Sequence, residues 1–222
     1  GDKLRGFDVD KLLSDFVNKV QAHGRKRKGA HWTAFDIPSK KVTSDPSFRF
    51  DLKYWDPYIQ ARLKKLAQEK ALTIKSLNLI GTRRGKSPPS EVYVDDKDGY
   101  ALVVKAGSNI SQHGILIENE ADYVEKSVYD DMPDFCKLEQ GDVLLSSTGD
   151  GTLGKACVYD RDLPAIADGH VTIIRVDGTK MSPYFLADYL RCGFGAAQVA
   201  RLYTGSTGLI ELAPERVDEI LV

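Results

Sequence analysis

At Ala71 the spacing of apolar residues changes from helical to extended, and that change constrains the fold more than any other feature of the chain. Before it, residues 8–22 place Leu12, Leu13, Phe16, Val17 and Val20 on one stripe closed by Gly24, the pattern of an amphipathic helix. Residues 24–50 keep no period and are expected as loop, with short extended pieces around Trp32–Ile37. Asp56-Pro57 is an N-cap followed by proline at the first helical position. It predicts a helix over about 57–71, with Ile59, Leu63, Leu66 and Ala67 inside and Lys64, Lys65 and Lys70 outside.

After Ala71, extended runs are expected at 73–80, 91–94, 100–105, 114–118, 141–147, 154–159 and 170–176. Turn residues such as Asp96–Gly99 and Asp160–Asp162 separate them. Ser182-Pro183 repeats the cap-plus-proline start, and Phe185, Leu186, Tyr189, Leu190, Val199 and Leu202 form a buried side over 183–203. Gly193 and Gly195 break that stretch into two helices, and Pro214 opens a last helical turn. The pattern defines an α+β fold: a curved, mostly antiparallel sheet with flanking helices, preceded by a small helical segment. The expected division is a basic N-terminal segment, 1–71, and a main domain, 72–222.

Composition narrows the class. Of 222 residues, 42% are hydrophobic and 28% charged, which excludes a disordered or collagen-like chain. Apolar runs such as Val143-Leu144-Leu145 fall far short of the ~20 residues of a membrane helix, and no signal peptide is evident. Cys136, Cys157 and Cys192 are widely spaced and odd in number, so they suggest small buried side chains in a reducing cytoplasm. Charge is uneven: residues 1–71 hold sixteen Lys and Arg against nine Asp and Glu, and 72–222 hold fifteen against twenty-three. The run Arg25-Lys26-Arg27-Lys28 could lie on a phosphate backbone or form a solvated loop.

Familiar catalytic signatures fail on inspection. Gly81-Thr82-Arg83-Arg84-Gly85-Lys86-Ser87 has three residues between its glycines where a phosphate-binding loop requires four, and Pro88-Pro89 prevents the helix that should follow. Gly149-Asp150-Gly151-Thr152-Leu153-Gly154 fits GxGxxG but leads into another extended run, so a glycine-rich hairpin is expected. Asp56-Pro57-Tyr58 and Ser87-Pro88-Pro89-Ser90 each depart from the (Asp/Asn/Ser)-Pro-Pro-aromatic tetrapeptide of amino-methyltransferases. Pro133-Asp134 lacks the acidic-x-Lys partner of a nuclease, and His23, His31, His113 and His170 show no metal-ligand spacing.

What remains is a series of blocks in fixed order. Leu77-Asn78-Leu79-Ile80 leads to a Gly-Lys-Ser-Pro turn, and Ala106-Gly107-Ser108-Asn109-Ile110 follows. Then come Leu138 through Ser147, Thr148-Gly149 through Gly154-Lys155, Pro183 through Leu190, Gly205-Ser206-Thr207-Gly208 and Leu212 through Val222. In that order and spacing, 72–222 resembles the target recognition domain of type I restriction–modification specificity subunits, also found fused to N6-adenine DNA methyltransferases. Gly141-Asp142-Val143-Leu144-Leu145 and the glycines and Lys155 after it are the most specific part. Arg49-Phe50-Asp51-Leu52-Lys53-Tyr54-Trp55-Asp56-Pro57 is similar to the Arg-Leu-Asp-x-x-Tyr-x-x-Pro segment that often precedes such a domain. The spacer helix that usually follows, and a second recognition domain, are not seen, so a fragment or half-unit is expected.

The resemblance implies a non-catalytic reader of duplex DNA in a bacterial or archaeal restriction–modification system, directing methylation of adenine. Glycines at 149, 151 and 154 would let backbone approach a phosphate, and Arg83, Arg84, Lys86, Lys105 and Lys155 would supply phosphate contacts. Ser87, Ser108, Asn109, Ser147, Thr148, Asp150, Thr152, Ser206 and Thr207 complete the expected DNA-binding set. Partners would be double-stranded DNA, a DNA methyltransferase subunit or fused domain carrying S-adenosylmethionine, and a restriction subunit. No cofactor or metal is expected in the chain itself. Two alternatives stand beside this reading: a piece of a single-chain N6-adenine methyltransferase, and a protein–protein interaction module docking through the helices at 8–22 and 57–71.

Overall fold

The structure, a computed structural model, describes residues 14, 26–28, 33–47, 49–118, 121–205 and 208–222. The chain divides into two compact units, Gly1–Tyr58 and Ile59–Val222. The helix expected over 8–22 lies outside the described residues except at Ser14, which is helical.

In the first unit, β1 (Lys26–Lys28) and β2 (Thr33–Phe35) form an antiparallel hairpin, so three residues of the basic run lie on a strand rather than in a loop. Helices α1 (Ser39–Thr43) and α2 (Leu52–Trp55) follow. Asp51 caps α2 by accepting from Tyr54 N–H, and Arg49 pairs with Asp51 at 2.6 Å while its guanidinium lies over the Tyr54 ring. Buried Tyr54 and Trp55 donate to Asp45 (2.8 Å) and to the Arg49 carbonyl (2.6 Å). Arg49, Asp51, Tyr54 and Trp55 of the Arg49–Pro57 segment therefore each have a structural task.

The second unit holds α3 (Pro57–Gln68, beginning at the boundary), α4 (Ile74–Leu77), β3 (Arg83–Arg84), β4 (Tyr93–Val94), β5 (Ala101–Val104) and β6 (Asp122–Val124). They are followed by α5 (Lys126–Asp131), β7 (Val143–Ser146), β8 (Ala156–Val158), β9 (Ala165–Ala167), β10 (Val171–Ile174), α6 (Pro183–Arg191), α7 (Gly193–Leu202) and α8 (Pro214–Asp218). The strands make two four-stranded sheets, β3-β10-β7-β8 and β4-β6-β5-β9. All pairs are antiparallel except β5–β9. The class is the α+β one expected, with two sheets in place of one.

Strand alternation explains the layering. Leu144, Cys157, Val171 and Ile173 of the first sheet meet Leu102, Val104, Ala165 and Ala167 of the second in one core. The other face of the second sheet, Ala101, Val103 and Ile166, packs on Met132 and Cys136, with Val128 and Tyr129 of α5 against them. On the first sheet, α6 covers β7 and β8, burying Leu186 and Leu190. With both faces covered, β5, β7, β8, β9 and β10 are buried at every position.

Two expected strands are absent. Residues 73–80 instead form one helical turn, because Thr73 caps it through Ser76 N–H and buries Ile74 and Leu77 three apart. Residues 114–118 contribute only the bridge Ile110↔Leu116. The break between α6 and α7 falls at Cys192 and Gly193, as expected. Cys136 and Cys157 are buried, and burial pushes the Cys157 thiol up to about 12; Cys192 is exposed.

Candidate nucleic-acid interface

The registers send many chain segments to one rim. Strands β3, β5, β7 and β9 reach it with their C-terminal ends, and β8 and β10 start from it. Backbone bonds tie the loops there: Gly85 N–H to Val171 O, Lys86 N–H to Ala167 O and Asp168 N–H to Val104 O, all at 3.0 Å. Ser147 N–H reaches His170 O at 2.9 Å, and the bridge Thr148↔Glu211 brings in the chain after α7. The rim thus gathers residues 83–87, 105–109, 147–155, 168–170, 204–205 and 209–212.

Within that set the side chains divide into two groups. Arg83, Lys86, Ser87 and Asp150 are exposed and Lys155 is partly so. Among the described residues, the four charged ones have no ion-pair partner; Ser87 Oγ accepts from Gly169 N–H at 3.1 Å. The others are committed to the fold. Arg84 donates to Glu211 (2.7 Å) and to the Leu212 carbonyl (2.8 Å), with its Nε buried and unbonded. Lys105 pairs with Asp122 and lies over the Tyr93 ring.

Asn109 and Ser147, expected to face DNA, are 1% and 0% exposed. The Asn109 amide accepts from Lys105 N–H and donates to Ile117 O, both at 2.8 Å, which closes the 105–117 loop. Ser147 Oγ shares a hydrogen bond with Thr172 Oγ1 and reaches Leu145 O. Both are corrected to structural positions, since a buried polar group needs its partners inside the fold. Ser108 is exposed and bonds to Asn109; Thr152 closes its own turn onto Thr148 O and Gly149 O. Ser206 and Thr207 lie outside the described residues.

The glycine-rich stretch is a hairpin loop between β7 and β8, with left-handed φ at Gly149, Gly151 and Gly154. Exposed His170, which has no recognisable motif around it, bonds through Nδ1 to Thr148 Oγ1 at 2.8 Å. Burial pushes the Asp168 carboxyl up, opposed by His170 N–H, the His170 ring and Lys105. Among the described residues, no group of three or more His, Cys, Asp or Glu could hold a metal ion. No helix among them is long and apolar enough to cross a membrane.

These features define an α+β domain of two stacked sheets with exposed polar side chains on the loops at one end. No family model matches the sequence, and no curated protein matches it. Solved structures of similar fold include proteins of type I restriction–modification systems. One comes from a structure described as the "structural basis underlying complex assembly and conformational transition of the type I R-M system". It has a TM-score of 0.50 and 12% identity, and the match covers 83% of this chain and 43% of that one. Another is the S subunit of such a system from M. genitalium (TM-score 0.43, 13% identity, 67% and 32% covered). A third is the HsdS subunit from Thermoanaerobacter tengcongensis (0.44, 12%, 92% and 57%). At these identities the likeness is one of fold, and the chain spans between about a third and somewhat over half of each neighbour.

Proposed function

We propose that this chain reads duplex DNA sequence as a non-catalytic specificity component of a restriction–modification system in the cytoplasm, directing adenine methylation performed by a partner. Arg83, Lys86 and Lys155 contact phosphates, while Ser87, Thr148, Asp150 and His170 face base edges. Arg84, Lys105, Ser108, Asn109, Ser147 and Thr152 hold the loops in shape, and Ser206 and Thr207 remain part of the proposed DNA-binding set. The observation that carries this reading is the convergence onto one rim, from separate strands, of charges that have no ion-pair partner among the described residues, beside the hydroxyls of Ser87 and Thr148. The methyltransferase, a subunit or a fused domain, brings S-adenosylmethionine; a restriction subunit completes the complex where cleavage accompanies methylation.

The test is selection of duplexes from a randomised library by this chain at low salt, followed by a salt titration. Enrichment of a short motif, with affinity falling as salt rises, supports the reading. Binding without enrichment reduces the rim to a phosphate anchor, and no binding in either the presence or absence of the methyltransferase removes the reading. A second role is favoured by α3, which has no fully buried residue: Leu63 and Leu66 are half-buried and suit a partner subunit. Co-purification lost in Leu63→Ser and retained in Lys86→Ala would assign it.

A further inference from the structure

At the rim, Thr204 and Glu211 pair at the base of a hairpin. Thr204 N–H donates to Glu211 O and Glu211 N–H to Thr204 O, both at 2.8 Å. Gly205 takes φ +98°, and a Cβ there would stand 2.1 Å from the Leu209 carbonyl oxygen, so only glycine lets the arms approach. The hairpin is fastened to the β7–β8 loop by Gly149 N–H to Ile210 O (3.1 Å) and Leu212 N–H to Ser147 O (2.8 Å). Arg84 clamps its far arm through Glu211. On this anchored frame the Leu209 side chain is 84% exposed, more than any other large apolar residue described.

A leucine held outward in this way covers little of its own chain, and the rim also carries exposed Arg83, Lys86, Ser87 and Asp150. Cationic side chains can hold phosphates and hydroxyls can hydrogen-bond base edges, but an apolar group can distinguish a base in the major groove only by the 5-methyl of thymine. Resting on the DNA-reading function proposed above, we infer that Leu209 is a specificity-determining residue that contacts a thymine methyl group in the target site.

The experiment begins with the motif selected by the unaltered chain. Each thymine is replaced singly by deoxyuridine, which removes only the methyl, and affinities are measured for the unaltered chain and for Leu209→Ala. One uracil position is expected to weaken the unaltered chain about fourfold, the equivalent of one methyl's burial. Leu209→Ala should be indifferent to that change while keeping its thermal midpoint, since the side chain is exposed. The inference is overturned by a motif without thymine, by indifference of the unaltered chain to every uracil, or by unchanged discrimination in Leu209→Ala. Weaker binding by Leu209→Ala with no uracil effect would make it a wedge between base steps instead. A selected motif with any of these results removes this inference alone, whereas failure to select a motif removes the DNA-reading function with it.

Discussion

Strand β7 begins and ends in opposite surroundings. At its start, Asp142 is 1% exposed and takes a two-pronged contact from Arg175, Nε at 2.6 Å and a terminal nitrogen at 2.8 Å. Asp142 also accepts from Glu139 N–H, and Arg175 reaches the Glu139 carboxylate, so that end is closed. At its finish, 147–155 meets 85–87, 168–170 and 209–212, where backbone hydrogen bonds tie the loops at several points but Arg83, Lys86 and Asp150 stay exposed and without an ion pair among the described residues. Rigidity is common to both ends; what differs is whether the charges are used up inside the fold. A binding loop needs the second arrangement, with fixed backbone and free side chains.

The largest effect that would sharpen this contrast is expected from Gly85→Ala. A Cβ at Gly85 would lie 1.9 Å from the Ala167 carbonyl oxygen, the acceptor of Lys86 N–H, so β3 and β9 must separate. A loss of more than about 3 kcal/mol is expected in denaturant titration, with loss of DNA binding because the rim moves too. Asp142→Asn comes next. It leaves the Arg175 guanidinium without its buried partner and should cost about 3 kcal/mol. Under conditions where the variant remains folded, its selected motif should be unchanged. A shifted motif would show that the closed end takes part in reading, and the comparison would fail.

The closed end was legible in sequence and the open end only in outline. Gly141-Asp142-Val143-Leu144-Leu145 announces a turn into a buried strand, and the structure assigns that role to each residue. The glycines after it marked a loop correctly, and Ser182-Pro183 marked the start of α6. Strand β9, Ala165-Ile166-Ala167, went unseen because three residues carry no readable period and its partner β5 lies some sixty residues earlier. Local capping by Thr73 outweighed the extended look of residues 73–80. In the site, a hydroxyl or amide beside a glycine looks the same whether it faces solvent, as Ser87 does, or the interior, as Asn109 does. Leu209 carried no signal, because apolar residues are ordinarily read as core and only the hairpin turns this one outward.

Removing cations from the rim separates stability from binding. Arg83→Ala and Lys86→Ala should each leave the thermal midpoint unchanged, as exposed positions without ion pairs among the described residues. Each should weaken duplex binding at low salt by about tenfold, uniformly across sequences, and lower the salt-dependence slope by about 1. Arg84→Ala should behave differently, losing stability through Glu211 and Leu212 before any loss in salt dependence. If Arg83→Ala shifted base preference instead of the salt slope, Arg83 would be a base reader.

The smallest effect reverses the sign seen at the closed end. Asp168 sits in the β9–β10 turn at the rim, 6% exposed, with its carboxylate accepting from His170 N–H at 2.9 Å. Unlike Asp142, it has no guanidinium paired with it among the described residues. Burial therefore raises its pKa above the ordinary carboxylate value, despite His170 and Lys105 nearby. The folded protein then binds this proton more readily than the unfolded chain, so the charge imposes its cost at neutral pH. That cost is relieved as pH falls through the raised folded pKa toward the unfolded value near about 3.9. Asp168→Asn keeps an oxygen for His170 N–H and removes the buried charge. Its thermal midpoint should exceed that of the unaltered chain at pH 7, and the gap should close as pH is lowered toward about 4. The same Asp→Asn change thus destabilises at one end of the sheet and stabilises at the other. A lower midpoint for Asp168→Asn at pH 7 would mean that the rim, like the closed end, uses its carboxylate to hold the fold together.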